Sequence, residues 1–137
     1  MHCPDTSKNV NKMEKTRVLI IDDLPFMRAA IRTVLEEADM EVAGEAENGK
    51  DGIFMYAQTQ PDIVLLDIVM PVMDGITALQ RLIRQDPAAR IIMCSALGEQ
   101  ALIVRAIQLG ARDFIVKPFQ PERVVSAIRK VAGKPRN

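Results

Sequence analysis

Residues 18–25 read VLIIDDLP: four apolar side chains in succession, two adjacent carboxylates, then a leucine and a proline. An unbroken apolar run of this length suits a strand covered on both faces, as in a parallel sheet flanked by helices. Asp22 and Asp23 stand where such a strand would leave the core, and Pro25 fits the first turn of a following helix. Ionised carboxylates repel one another and resist leaving water. Two of them at the lip of a core therefore need a use. Capping the next helix, whose amino end favours negative charge, would employ one acid but not both.

Working outward from this stretch, the same alternation repeats. Strands are expected at 17–21, 41–47, 62–66, 90–94 and 113–116, and helices at 25–38, 49–60, 75–86, 99–109 and 121–132. Pro87, Gly110 and Gly133 close three of the helices, and Gly52 weakens the second. The second strand, EVAGEAE, alternates and reads as less buried than the others. Five β-α units with mostly continuous apolar strands predict an α/β fold, a doubly wound three-layer sandwich around a parallel five-stranded sheet. Residues 1–16 are polar and aperiodic and read as a flexible leader, 17–133 as one folded domain and 134–137 as a tail.

Composition narrows the function. The 137 residues fit one domain, and Lys+Arg equals Asp+Glu at 18 each, without the basic excess of a nucleic-acid binder. Apolar residues make up 48%, enough for a core, yet no apolar run approaches the roughly 20 residues that span a bilayer. With no apolar signal region at the start, a cytoplasmic protein without membrane insertion is expected. Cys3 and Cys94, one in the leader and one in a strand, are expected to be free thiols. His2 beside Cys3 offers too few ligands for a metal.

In open α/β sheets, sites form beyond the carboxyl ends of the strands. Asp22 and Asp23 follow the first strand, Asp67 the third, Ser95 the fourth and Lys117 the fifth, and nothing comparable follows the second. If the first strand adjoins the third, three carboxylates converge. A divalent cation relieves their repulsion, and Mg²⁺ takes hard oxygen donors, typically one or two carboxylates together with phosphate oxygens. Lys117 adds a second positive centre and the Ser95 hydroxyl a hydrogen bond. Such a set describes a phosphoryl site, with Asp67 as acceptor nucleophile and Ser95 and Lys117 assisting it.

The motifs together, DD at 22–23, Asp67 before xxMPxMDG, SA at 95–96 and KPF at 117–119, resemble the response-regulator receiver domain over about residues 16–132. Residues 93–125, MCSALGEQALIVRAIQLGARDFIVKPFQPERVV, look most like the chemotaxis members of that family. The resemblance implies a flavodoxin-like fold with strand order 2-1-3-4-5. It implies that Asp67 takes phosphate from a sensor histidine kinase. Asp22, Asp23, Asp67 and the backbone carbonyl of Val69 would then hold Mg²⁺. Ser95 and Lys117 would bond phosphoryl oxygens, and Lys117–Pro118 would be a cis peptide. Phe114 stands where many relatives carry tyrosine, so its ring can follow a Ser95 shift inward but without a hydroxyl.

Such a protein is no enzyme beyond its own phosphorylation and slow dephosphorylation. A Mg²⁺-dependent phosphatase would need a general acid two residues past the nucleophile, where Val69 stands, and a nucleotide or flavin binder would need a glycine-rich loop after the first strand. Val69 and Leu97 would flank the phosphate and orient no water, which predicts slow self-hydrolysis.

Too few residues follow position 133 for a DNA-binding module, so output by protein docking is expected, from a monomer, through the fourth helix, fifth strand and fifth helix. Leu102, Ala106 and Leu109 form one stripe of the fourth helix, and Ile103 and Ile107 another about 100° away. Only one stripe should face the sheet, which leaves Ile103 and Ile107, with Phe114, as expected partner contacts. The resemblance implies a chemotaxis histidine kinase as donor, a flagellar motor switch protein as target and a phosphatase as a further partner. A phosphorelay carrier serving a histidine phosphotransfer protein, or a stand-alone receiver regulating another partner, are the alternatives.

Overall fold

A computed structural model describes residues 14–133. Residues 1–13 of the expected leader, with His2 and Cys3, and the tail 134–137 lie outside the described residues. Ten elements alternate: β1 (Arg17–Ile21), α1 (Pro25–Glu37), β2 (Glu41–Ala46), α2 (Gly49–Thr59), β3 (Ile63–Asp67), α3 (Gly75–Gln85), β4 (Ile91–Ala96), α4 (Gln100–Gln108), β5 (Asp113–Lys117) and α5 (Pro121–Ala132). The strands form one parallel sheet in the order β2-β1-β3-β4-β5.

Period-two alternation splits each central strand between two cores. Leu19, Ile21, Val64, Leu66, Ile91 and Met93 pack beneath α2, α3 and α4, whereas Val18, Ile20, Ile63, Leu65, Ile92 and Cys94 pack beneath α1 and α5. Both sets must be apolar, which is why β1 and β3 read as unbroken apolar runs. Each fully buried Leu, Ile or Val is worth roughly 1.5–3 kcal/mol relative to exposure, so register is strongly fixed. β2 lies at the sheet edge and is mostly half-buried, as its alternation suggests. Cys94 is a free, buried thiol, and burial pushes its pKa up to about 12. Among the described residues no helix is long and apolar enough to cross a membrane.

The expected boundaries shift by one or two residues in ways that bear on the site. β3, β4 and β5 run on through Asp67, Ala96 and Lys117. Ladder pairing carries them past their apolar runs: Asp67 pairs with Cys94, Ser95 with Val116 and Ala96 with Lys117. Ser95 is therefore inside β4 rather than beyond it. The phase of α4 is also corrected. Ile103 and Ala106 face the sheet, with Ile103 only 8% exposed, whereas Leu102 is 38% and Ile107 43% exposed. Ala106 makes an i,i+4 pair with Leu102 and an i,i+3 pair with Ile103. Either stripe was geometrically allowed, and only packing against the sheet chooses between them.

Candidate functional site

β1 adjoins β3, so the acids at their ends meet. Asp22, Asp23 and Asp67 each offer a carboxylate oxygen, and these oxygens lie within 4.8 Å of one another. Asp22 and Asp67 are buried and Asp23 is half-buried. Asp22 is held from several directions. Its N–H donates to Ala46 O at 3.0 Å, and its Oδ1 accepts from the Leu24 N–H at 2.9 Å. Its Oδ2 accepts from Lys117 Nζ at 2.9 Å, and its carbonyl accepts from Arg28 Nη1. The helix-cap use of these acids is not realised: Leu24 is the N-cap of α1, and no side chain caps that helix.

Lys117 crosses the sheet edge to reach both acids, 2.9 Å from Asp22 and 3.4 Å from Asp67. The peptide that follows it, Lys117–Pro118, is cis. Burial opposes the Lys117 charge, but the hydrogen bond to Asp22 and the attraction of Asp67 and Asp22 outweigh it and hold the ammonium pKa above its usual value. Burial pushes the Asp67 carboxyl up to about 7 in the metal-free protein; Lys117 opposes the rise, and the neighbouring acids Asp22 and Asp23 add to it. With all three carboxylates ionised, one ammonium leaves two negative charges uncompensated in a partly dry pocket. That donor set, hard oxygens with a twofold charge deficit, fits a divalent cation. Val69 lies two residues beyond Asp67 with its side chain 56% exposed.

Ser95 follows Cys94, the ladder partner of Asp67, by one residue. It is fully buried, and its Oγ has no hydrogen-bond partner. Leaving a buried hydroxyl unpaired costs about 1–3 kcal/mol, so a group of this kind calls for a ligand.

Two features around the site had little signal in the sequence. Gly75 brings the β3–α3 loop back over Asp67. Its N–H donates to Ile68 O at 2.7 Å, and a Cβ there would sit 2.2 Å from the Asp67 carbonyl oxygen and 2.7 Å from Ile68 Cα. Within the same loop Val72 has φ +69°, a left-handed conformation that a β-branched residue adopts only under strain. Arg28 was missed because Glu45, its second partner at 3.3 Å, lies on β2, 17 positions away. Beside the site an apolar groove of about 440 Å³ is lined by Leu97, Ile103, Val104, Ile107, Phe114 and Val116. Ile103 thus forms part of its floor, and the half-buried Phe114 ring lies in the same groove as Ile107.

The chain is similar in sequence and fold to proteins of one family. A family model described as the response regulator receiver domain matches residues 18–129. The chemotaxis protein CheY of Thermotoga maritima is 53% identical over 116 residues, covering 85% of this chain and 97% of that protein. CheY of Bacillus subtilis is 54% identical over 114 residues, covering 83% and 95%. Among solved structures, a chain of the CheX–CheY–BeF3–Mg complex of Borrelia burgdorferi is 36% identical with a TM-score of 0.82, covering 86% of this chain and 90% of that one. The response regulator domain of Thermotoga maritima CheB has a TM-score of 0.82 at 31% identity, covering 89% and 99%.

Proposed function

The chain belongs to the response regulator receiver family, and from that premise we propose that Asp67 carries a phosphoryl group whose presence switches protein docking. Its relatives make it a chemotaxis response regulator of the CheY kind, and they do not favour a phosphorelay carrier. The supporting observation is the convergence on one strand-end crevice of three carboxylates and the Lys117 ammonium, with the unpartnered, buried Ser95 hydroxyl one residue past the ladder partner of Asp67.

In this reading Asp67 attacks the phosphorus of a phosphohistidine on a kinase of the chemotaxis type. A bond forms between the carboxylate oxygen and phosphorus as the bond to the imidazole nitrogen breaks, and the imidazole leaves. Mg²⁺ held by Asp22, Asp23, Asp67 and the Val69 backbone carbonyl would neutralise charge on the transferring phosphoryl oxygens. Lys117 already points its ammonium at Asp67 and supplies a charge-assisted hydrogen bond to one phosphoryl oxygen. Ser95 donates to another and so satisfies its own orphaned hydroxyl. Phosphorylation adds roughly −1.5 to −2 charges and three acceptor oxygens. Drawing Ser95 toward them shifts a two-state equilibrium of the β4–α4 loop, and the Phe114 ring follows in the adjoining groove.

The output face comprises α4, β5 and α5, with Ile107 and Phe114 at the groove and Ile103 beneath it. Its target is a flagellar motor switch protein. A phosphatase is a further partner in this reading; a similar CheY, that of Borrelia burgdorferi, forms a complex with CheX. The setting is the cytoplasm.

The test is labelling with acetyl phosphate and Mg²⁺. The wild type gains one hydroxylamine-labile phosphoryl group, and Asp67→Asn gains none. Labelling retained in Asp67→Asn moves the nucleophile elsewhere.

A further inference from the structure

Glu99 stands just before α4 as its N-cap residue, yet it makes no side-chain bond to that helix. Its Oε1 instead accepts the Ala96 N–H at 2.8 Å. The direction of that N–H follows from the ladder. Cys94 O accepts from the Ile68 N–H at 3.1 Å, so Cys94 presents its main-chain groups to β3. Along a strand these directions alternate, so Ser95 faces β5 and Ala96 again faces β3. The ladder would continue from the Ala96 N–H to Ile68 O, but that oxygen is taken by the Gly75 N–H. The Ala96 N–H is thus a ladder donor without a ladder acceptor. It lies on the β3 flank where that strand ends at Asp67, one residue past Ser95 and in register with Lys117.

We propose that Glu99 is a built-in competitor for the phosphoryl group. Its carboxylate occupies the Ala96 N–H in the unphosphorylated protein and is displaced when phosphorylated Asp67 presents its oxygens there. The inference rests on the reading of Asp67 as phosphate carrier. Two effects drive the exchange. The phosphoryl group brings three charged acceptor oxygens on a covalent tether to Asp67, and the new negative charge repels the carboxylate. Once released, Glu99 remains at the amino end of α4, where negative charge is favoured. The turn it lets go includes Leu97 and Gly98, which line the apolar groove together with Ile103 and Ile107. Gly98 has φ +93°, and a Cβ there would meet nothing within 4 Å, so the turn has room to rearrange. The contact therefore links occupancy of the acidic pocket to the shape of the groove through a single side chain.

The experiment compares wild type, Glu99→Ala and Glu99→Gln by calorimetric titration with beryllofluoride in saturating Mg²⁺. Each protein is first titrated with Mg²⁺ alone. Removing the competing carboxylate should tighten beryllofluoride binding about five-fold in Glu99→Ala, as expected for loss of a competing charge-assisted hydrogen bond at an exposed site. Glu99→Gln, which keeps an acceptor without the charge, should fall between Glu99→Ala and wild type. Mg²⁺ affinity should be the same in all three. In ¹⁵N spectra without ligand, the Ala96 amide proton should move upfield in Glu99→Ala. Wild-type binding with no gain in either variant, an unmoved Ala96 amide, or a gain matched by an equal change in Mg²⁺ affinity would each overturn the competitor role alone. Absence of beryllofluoride binding by the wild type would instead overturn the Asp67 reading, and this proposal with it.

Discussion

Val69 and Leu97 stand beside the acidic pocket, 56% and 76% exposed, and neither side chain carries a polar atom. Water approaching a phosphoryl group on Asp67 would find no side-chain partner at either position, so the aspartyl phosphate should hydrolyse slowly. Val69→Asn leaves the backbone carbonyl in place and adds an amide. It should speed loss of phosphate about three-fold or more, which requires only ~0.7 kcal/mol off the barrier. Following the decay of labelled protein after removal of acetyl phosphate checks this, and an unchanged or slower decay contradicts it. The residue scale is where the sequence was most informative. Asp22, Asp23, Asp67, Ser95 and Lys117 could all be named because each sits at the end of an apolar run. Arg28 could not be singled out, because its importance depends on a partner on β2, and Gly75, though it closes the MPxMDG motif, gave no sign there of packing back on Asp67.

Between elements, the acidic turn after β1 is braced by an ion-pair network joining α1 to β2. Glu45 accepts from Arg32 Nε at 2.8 Å and Arg28 Nε at 3.3 Å, and Arg28 also bonds the Asp22 carbonyl. The hydrogen bond from Arg32, with the positive charges of Arg32 and Arg28 and despite partial burial, holds the Glu45 carboxyl below its usual 4.5. A carboxyl depressed in the folded state contributes stability that is fully present above its unfolded pKa. That contribution is lost as pH falls through the folded pKa. Glu45→Gln should therefore cost about 1 kcal/mol at pH 7, a modest figure because the pair is partly solvated, and progressively less below pH 4.5. Urea unfolding at the two ends of that range measures it. An equal gap between wild type and variant at both would show that the ion pairs contribute nothing through ionisation. The phase of α4 belongs to this scale as well. Its apolar residues allow two stripes, and the sheet selected Ile103 with Ala106.

Across the whole molecule, the strand order β2-β1-β3-β4-β5 places Lys117 against Asp22, 95 positions earlier, and sets the groove beside the pocket. Ile107, like Val104, is an exposed apolar residue of α4 that lines the groove. Ile107→Asp should weaken capture of the beryllofluoride-loaded chain by a flagellar motor switch protein, the proposed target, about ten-fold, the ~1.4 kcal/mol expected of an interface contact near the centre. Equal affinity in a binding assay would remove Ile107 from the docking face. By itself the sequence determined the class of fold, the ten elements and the identity of the acids, the lysine and the serine. Buried parallel strands must be apolar on both faces, and polar groups can interrupt them only where the strands leave the core. Tertiary structure alone decided which face of α4 is covered, that Glu99 takes the Ala96 N–H, that Gly75 packs the β3–α3 loop against Asp67, and that Arg28 holds the acidic turn. Each of these depends on which backbone donor or packed surface lies opposite, and a ladder's last unpaired group exists only once the strands are in register.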